Sequence, residues 1–155
     1  MGKQPVVPAA GVDQRVPVFG ALDALTGRLL AHTPGRKNSA GFLEHLGQLL
    51  RAYPHRHIFL FLDNSSIHHA KVVKRFLADQ ADQVTVIWNA PYTPELNLIE
   101  RYWGYLKAKA IHNYFFETKA ALETAIWEAV CDLNRSEELR MTVHLGFLHP
   151  LHKAA

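Results

Sequence analysis

The sequence has very little cysteine and no long apolar run. Cys131 is the only cysteine in 155 residues, so no internal disulfide can form, and its apolar helical surroundings predict a small core residue. No apolar run approaches the roughly 20 residues of a membrane-spanning helix. The N-terminus also lacks the apolar stretch of a signal peptide. We therefore expect a cytoplasmic protein with no membrane partner.

The composition is that of an ordinary folded domain with a slight excess of positive charge. Hydrophobic residues make up 48% of the chain, and its 155 residues favour one domain. A net charge of +3 is compatible with a polyanionic partner but does not demonstrate one. The ten histidines do not combine with cysteines at the spacing of a zinc finger.

Strand patterns alternate with helix patterns along the chain, which predicts an α/β fold with a partly parallel sheet. We divide the chain into an irregular leader (1–14), a main domain (15–135) and a C-terminal tail (136–155). The predicted elements are a hairpin within 16–33 whose turn uses Gly27, a helix from Asn38 or Ser39 to Pro54, a strand at 57–62, a helix opened by Ser65 or Ser66, a strand at 84–88, and helices at 97–111 and 117–133.

Asp63 follows five consecutive apolar residues, Ile58 to Leu62, a run typical of a strand buried on both faces of a parallel sheet. In open α/β sheets, ligands bind beyond the carboxyl ends of the strands, where Asp63 would lie. The sequence Asp-Asn-Ser-Ser is equally typical of a turn or a helix cap, in which the carboxylate accepts backbone N–H groups. Position alone leaves both interpretations open.

Glu100 is a second acidic candidate, on the helix predicted at 97–111. Its helical wheel places it at the edge of an apolar stripe formed by Ile99, Tyr102, Trp103, Leu106 and Ala110. A capping box with Asn97 would also explain Glu100. Divalent cations such as Mg²⁺ prefer carboxylate oxygens, and phosphodiester chemistry at two such ions uses about three acids from separate elements. Asp63 and Glu100 together are therefore a candidate metal site.

Two stretches, FLFLDNSSIHHA and APYTPELNLIERYWGYLKAK, resemble the catalytic domain of bacterial insertion-sequence transposases of the mariner-like DDE type. The resemblance extends over about residues 15–130. It implies a ribonuclease H-like fold, with a mixed sheet flanked by helices, and DNA cleavage and joining that depend on Mg²⁺ or Mn²⁺. The matching residues are Asp63, Asn64, His68, Pro91, Tyr92, Pro94, Leu96, Asn97, Ile99, Glu100, Trp103 and Lys107.

The resemblance also implies roles for individual residues and partners. Asp63 and Glu100 would be the catalytic metal ligands. Asn64, His68 and Asn97 would orient these carboxylates, although capping by the asparagines and a half-exposed helical position for His68 are alternatives. Transposon ends and target DNA would be the partners, together with further copies of the chain. Contacts to DNA phosphates are expected from Lys71, Lys74, Arg101 and Lys107.

The chain departs from the family pattern at Ala90 and Leu98, where the family usually has Leu and Pro, and at its first catalytic acid. In the family this Asp lies on a strand upstream of the hairpin. Asp13 falls in the leader and Asp23 in the hairpin turn, so neither matches that position. We therefore expect the first strand to be missing, leaving an exposed sheet edge.

A missing first acid would leave the chain with weak or no activity in isolation, either because the gene is truncated or because an upstream reading frame encodes the missing segment. Two further hypotheses stay open from the sequence. One is a non-catalytic DNA-binding or dimerisation remnant of a transposase. The other is an unrelated α/β domain in which both acids are caps.

Overall fold

The computed structural model describes residues 15–89, 98–111 and 114–146. Within these ranges, strands and helices alternate as an α/β fold requires. The first half holds β1 (Phe19–Leu22), β2 (Leu29–His32), α1 (Ser39–Ala52), β3 (Ile58–Leu62), α2 (Lys71–Asp79) and β4 (Val84–Trp88). The second half is helical, with α3 (Ile99–Leu106), a π-helical turn (Lys107–Ile111), α4 (Lys119–Arg135) and α5 (Glu137–Leu145).

The predicted hairpin is present, with β1 and β2 paired antiparallel. Asp23 closes its turn because Oδ1 accepts the backbone N–H groups of Leu25 and Thr26, at 2.9 and 3.2 Å. Gly27 has a φ of 67°, which is a left-handed conformation that glycine adopts without steric cost. Asn38 then caps α1 by accepting the N–H of Gly41 at 2.9 Å. These local predictions are confirmed.

The strands β3 and β4 pair in parallel, with Leu62 opposite Trp88 at their carboxyl ends. Leu62, Val84 and the inner faces of α1 and α2 form one hydrophobic core on one side of this pair. On the other side, the side chains of Phe59 and Phe61 are each 63% exposed. The prediction that this strand is buried on both faces is therefore wrong within the described residues.

The strand pairs β1–β2 and β3–β4 are separate sheets within the described residues. A second hydrophobic core joins β2 to the helices α3, α4 and α5. Val143 of α5 is buried in it, so part of the predicted tail is a packed helix. The apolar stripe of α4 is confirmed: its buried residues are Leu122, Ile126, Ala129, Val130 and Leu133.

Two further predictions from the sequence are wrong. The helix after β3 begins at Lys71 and not at Ser65 or Ser66, because Ser66–His69 form a turn of their own. Cys131 is exposed, since it falls on the solvent side of α4 between the buried residues Val130 and Leu133. Among the described residues, no helix has the length and apolar content needed to cross a membrane.

Candidate active site

Asp63 is the first residue after β3, at the end of the strand where β4 also finishes. Its carboxylate is exposed to solvent. The Oδ1 atom accepts the backbone N–H of Ser65 at 3.0 Å, as in an Asx turn. Asp63 therefore has the turn interaction predicted from its sequence, and its carboxylate still faces outward.

His68 lies beside Asp63. Its Nδ1 atom is 2.9 Å from Oδ1 of Asp63 and 3.1 Å from the backbone oxygen of the same residue. The ring packs against Phe42 of α1, with 4.4 Å between the ring centroids, and its side chain is 13% exposed. An N–H at Nδ1 would donate to the carboxylate, so His68 connects Asp63 to Phe42 in the first turn of α1.

A second contact ties the ends of the two parallel strands together. The side-chain amide of Asn64 donates to the backbone oxygen of Asn89, just after β4, at 3.2 Å. The backbone N–H of Asn89 donates to the oxygen of Leu62 at 2.8 Å. The rings of His69 and Trp88 stack with centroids 4.3 Å apart. The loop that carries Asp63 is therefore fixed to the end of β4.

Three residues that shape this site were not predicted from the sequence: His69, Trp88 and Asn89. A usable signal was present for Asn89, which follows β4 as Asp63 follows β3. Carboxyl ends of parallel strands meet at one edge of a sheet. The stack of His69 on Trp88 depends on a turn whose shape the sequence pattern did not indicate.

Glu100 is exposed in the first turn of α3. The position of this helix is set by β1, because a Cβ on Gly20 would lie 2.5 Å from Cη2 of Trp103 and 3.4 Å from Cδ1 of Ile99. The buried face of α3 carries Tyr102 and Leu106, as the helical wheel predicts. Asn97 lies outside the described residues, so its predicted capping of Glu100 has no structural description.

The four basic residues proposed from the sequence lie in different settings. Lys71 and Lys74 are exposed on α2, and Lys107 is exposed at the start of the π-helical turn. Arg101 donates from Nη1 to the backbone oxygen of His144 at 2.6 Å, which connects α3 to the end of α5. Arg101 therefore uses part of its hydrogen-bonding capacity within the fold.

The donor chemistry of Asp63 fits a hard divalent cation. Both contacts to its carboxylate involve Oδ1, and none from the described part of the chain reaches Oδ2. Mg²⁺ commonly takes one or two carboxylates and completes its shell with water and substrate phosphate. Within the described ranges, no three His, Cys, Asp or Glu side chains form a group suited to a metal ion.

Comparison with solved structures identifies the fold. The catalytic core domain of BIV integrase is 21% identical, with a TM-score of 0.56 over 77% of this chain and 75% of that chain. A chain from the simian T-cell lymphotropic virus intasome, solved with the PP2A regulatory subunit B56 gamma, is 22% identical. Its TM-score is 0.58, over 89% of this chain and 51% of that chain. The fold is ribonuclease H-like, as the resemblance implied.

Comparison of sequences identifies the family. A protein of Shigella sonnei, the insertion element IS630 uncharacterized 39 kDa protein, is 29% identical over 114 residues. The match covers 73% of this chain but only 33% of the relative, so this chain spans about a third of the relative's length. The family model for the DDE superfamily endonuclease matches residues 1–123. The chain therefore belongs to the DDE superfamily endonuclease family.

Proposed function

We propose that this chain carries the catalytic centre of a transposase-type DNA endonuclease, in which Asp63 and Glu100 bind a divalent metal ion. The observation that carries the proposal is the exposed carboxylate of Asp63 at the shared carboxyl end of β3 and β4, in a chain of the DDE endonuclease family. The substrate is DNA of an insertion element, and the ion is Mg²⁺ or Mn²⁺.

In this proposal, Asp63 and Glu100 are the residues that hold the ion. When bound, a divalent cation would polarise the scissile phosphate and favour deprotonation of the attacking hydroxyl. His68 and the N–H of Ser65 restrict Asp63 to one orientation through Oδ1, leaving Oδ2 for the ion. Attack by water, and then by a DNA 3′-hydroxyl, forms one P–O bond and breaks another. Exposed Lys71, Lys74 and Lys107, with Arg101, would neutralise the DNA backbone.

Metal binding tests the two carboxylates directly. We expect Asp63→Asn and Glu100→Gln each to weaken Mn²⁺ binding at least tenfold, since each removes one of few charged ligands. Titration of Mn²⁺, followed by electron paramagnetic resonance, measures this. Asp79→Asn is the matched control, because Asp79 is an exposed carboxylate at the far end of α2. Equal Mn²⁺ affinity in wild type, Asp63→Asn and the control would disprove the metal site.

The catalytic part of the proposal is tested by nicking of supercoiled plasmid DNA. We expect slow Mn²⁺-dependent nicking by the wild type that disappears in Asp63→Asn. It should be slow because the described residues supply two acids and hold no group of three possible ligands. Nicking that persists in Asp63→Asn would disprove the catalytic role of Asp63. Robust nicking, lost in Asp63→Asn, would keep the assignment and refute the expected weakness.

The same lack of a three-ligand group among the described residues favours one alternative, a non-catalytic DNA-binding or self-associating remnant. In that case no divalent ion would support nicking. DNA binding would still weaken with salt, and it would be unchanged by Asp63→Asn.

A further inference from the structure

An open cleft of about 460 Å³ lies between the hairpin turn, the end of α1 and the junction of α4 with α5. Its charged lining consists of Asp23, Arg28, Arg56 and Arg140, and Tyr53 adds a phenol. We call it the arginine cleft. A volume in this range is large enough for a small ligand or for part of a polymer backbone.

The positive charge of the arginine cleft is only partly balanced. Burial opposes ionisation of Asp23, but hydrogen bonds from Leu25, Thr26 and Tyr53 outweigh it and lower the pKa of the carboxyl group. The cleft lining therefore holds one ionised carboxylate and three guanidinium groups. Within residues 15–89, 98–111 and 114–146, neither Arg28 nor Arg56 forms a hydrogen bond or ion pair with a carboxylate.

Arg28 and Arg56 line the cleft together with Tyr53. Burial and the charge of Asp23 raise the pKa of Tyr53, while the charges of Arg28 and Arg56 both oppose that rise. Both side chains are exposed. The cleft therefore carries two guanidinium groups that solvent, or an anion, can reach.

Arg140 is held in place by backbone oxygens and not by an acid. Its Nε donates to the oxygen of Thr26 at 2.9 Å and its Nη1 to that of Asn134 at 2.8 Å. Gly27 makes room for it, because a Cβ there would lie 3.1 Å from Cγ of Arg140. These bonds fix the guanidinium plane without neutralising its charge, and they leave its other N–H groups available.

The arginine cleft is remote from Asp63. His68, which contacts Asp63, packs on Phe42 near the start of α1, whereas Tyr53 lies at its end. At about 1.5 Å per residue, Phe42 and Tyr53 are roughly 16 Å apart along the helix axis. A ligand in the cleft is therefore distinct from one at the carboxyl end of β3.

We propose that the arginine cleft binds a phosphate of the DNA backbone, about one helix length from the candidate active site. Guanidinium groups pair with phosphate oxygens in a planar, bidentate geometry and read no base sequence. The cleft would thus anchor DNA while the strand to be cut lies near Asp63. This inference rests on the proposed action on DNA and adds a second contact region to it.

The test is duplex DNA binding, measured by fluorescence anisotropy over a range of salt concentrations. Arg28→Gln/Arg56→Gln removes two charges from the cleft. Its matched control, Lys37→Gln/Lys119→Gln, removes two exposed charges at residues that do not line the cleft. At about 0.1 M salt we expect the cleft variant to bind at least tenfold more weakly than the control. Its slope of log K against log salt should also be shallower by about one to two.

Three outcomes would overturn the proposal: no DNA binding by the wild type, equal losses in the cleft variant and the control, or unchanged affinity in the cleft variant. Inorganic phosphate at constant ionic strength is the second probe. If it protects the wild type thermally while DNA affinity stays unchanged in the cleft variant, the cleft takes free phosphate and the proposal is wrong. Mn²⁺ titration of Asp63→Asn and Glu100→Gln tests the active site without DNA, so a failed active site and a failed cleft give different results.

Discussion

At the scale of single residues, His45 is the polar side chain most deeply enclosed among those that the structure describes. It is 2% exposed, and neither ring nitrogen has a hydrogen-bond partner among the described residues. Its ring lies 6.1 Å from that of Phe19 and 6.3 Å from that of His32. Burial, together with the nearby His32, lowers the pKa of His45 to about 4. His45 is therefore neutral in the folded protein near pH 7.

We predict that His45 makes the protein less stable in mild acid. Its pKa is about 4 in the folded protein and 6.5, the ordinary histidine value, in the unfolded chain, so the unfolded chain binds its proton first as pH falls. As pH falls from 6.5 to 4, protonation of this group in the unfolded chain should therefore lower the free energy of unfolding by about 3 kcal/mol. Below pH 4 the contribution of His45 should stay constant. Urea unfolding at a series of pH values, with wild type and His45→Leu, measures it.

His45→Leu should lose this part of the pH dependence and be at least as stable as wild type at pH 7, because it removes unpaired buried nitrogens. His55→Leu, at an exposed position, is the control and should keep the wild-type slope. If His45→Leu and wild type lose stability in parallel from pH 6.5 to 4, the buried histidine does not govern the pH dependence of stability.

Residues with local roles could be predicted from the sequence, and those with distant partners could not. The turn bonds accepted by Asp23 Oδ1 and the cap bond accepted by Asn38 reach two or three positions along the chain, so residue type and spacing were enough to place them. The setting of His68 depends on Phe42, which is far away in sequence, and the burial of His45 depends on β1 and β2. Periodicity carries no information on such pairs.

At the scale of elements, the packing of α3 on β1 decides where Glu100 lies. Trp103 and Ile99 of α3 approach Gly20 so closely that a Cβ there would be 2.5 Å from the indole ring. The opposite side of the helix is open at Gly104, where an added Cβ meets nothing within 4 Å. Two Gly→Ala substitutions therefore test packing and helix propensity separately.

We predict that Gly20→Ala destabilises the protein by about 1–3 kcal/mol, since the methyl group forces Trp103 or the helix to move. Gly104→Ala should instead stabilise it by about 0.5–1 kcal/mol, because alanine favours an exposed helix position. Urea unfolding gives both values. If the proposed metal site is right, Gly20→Ala should also weaken Mn²⁺ binding while Gly104→Ala does not. Equal stability of the two variants would contradict the packing argument.

Element types were more predictable than element boundaries or exposed faces. The strands at β3 and β4 and the stripe of α4 follow from apolar patterns that the structure uses directly. The start of α2 could not be predicted from the apolar pattern, because Ser66–His69 form a separate turn. This turn is held partly by the bond of His68 to Asp63. The apolar residues of β3 likewise gave no sign that its second face is exposed.

At the scale of the whole molecule, one face of the β3–β4 pair exposes large apolar side chains to solvent. Phe59, Phe61 and Ile87 lie on it, and Phe59 and Phe61 are the most exposed of these three. Within the described residues, β3 and β4 pair only with each other, so each strand also has a free edge. Contiguous apolar surface and open edges both favour association of chains.

We predict that the chain self-associates through this face, and that Phe59→Thr/Phe61→Thr makes it more monomeric. Threonine keeps a high β propensity, so the strand should persist while the apolar area falls. Sedimentation velocity at increasing concentration should show a concentration-dependent rise in mass for wild type that is much reduced in the variant.

Leu25→Thr is the control and should leave association unchanged, because Leu25 is 89% exposed in the hairpin turn, away from this face. Association that responds equally to both changes would show non-specific hydrophobic contact, and a wild type that is monomeric at all concentrations would refute the prediction.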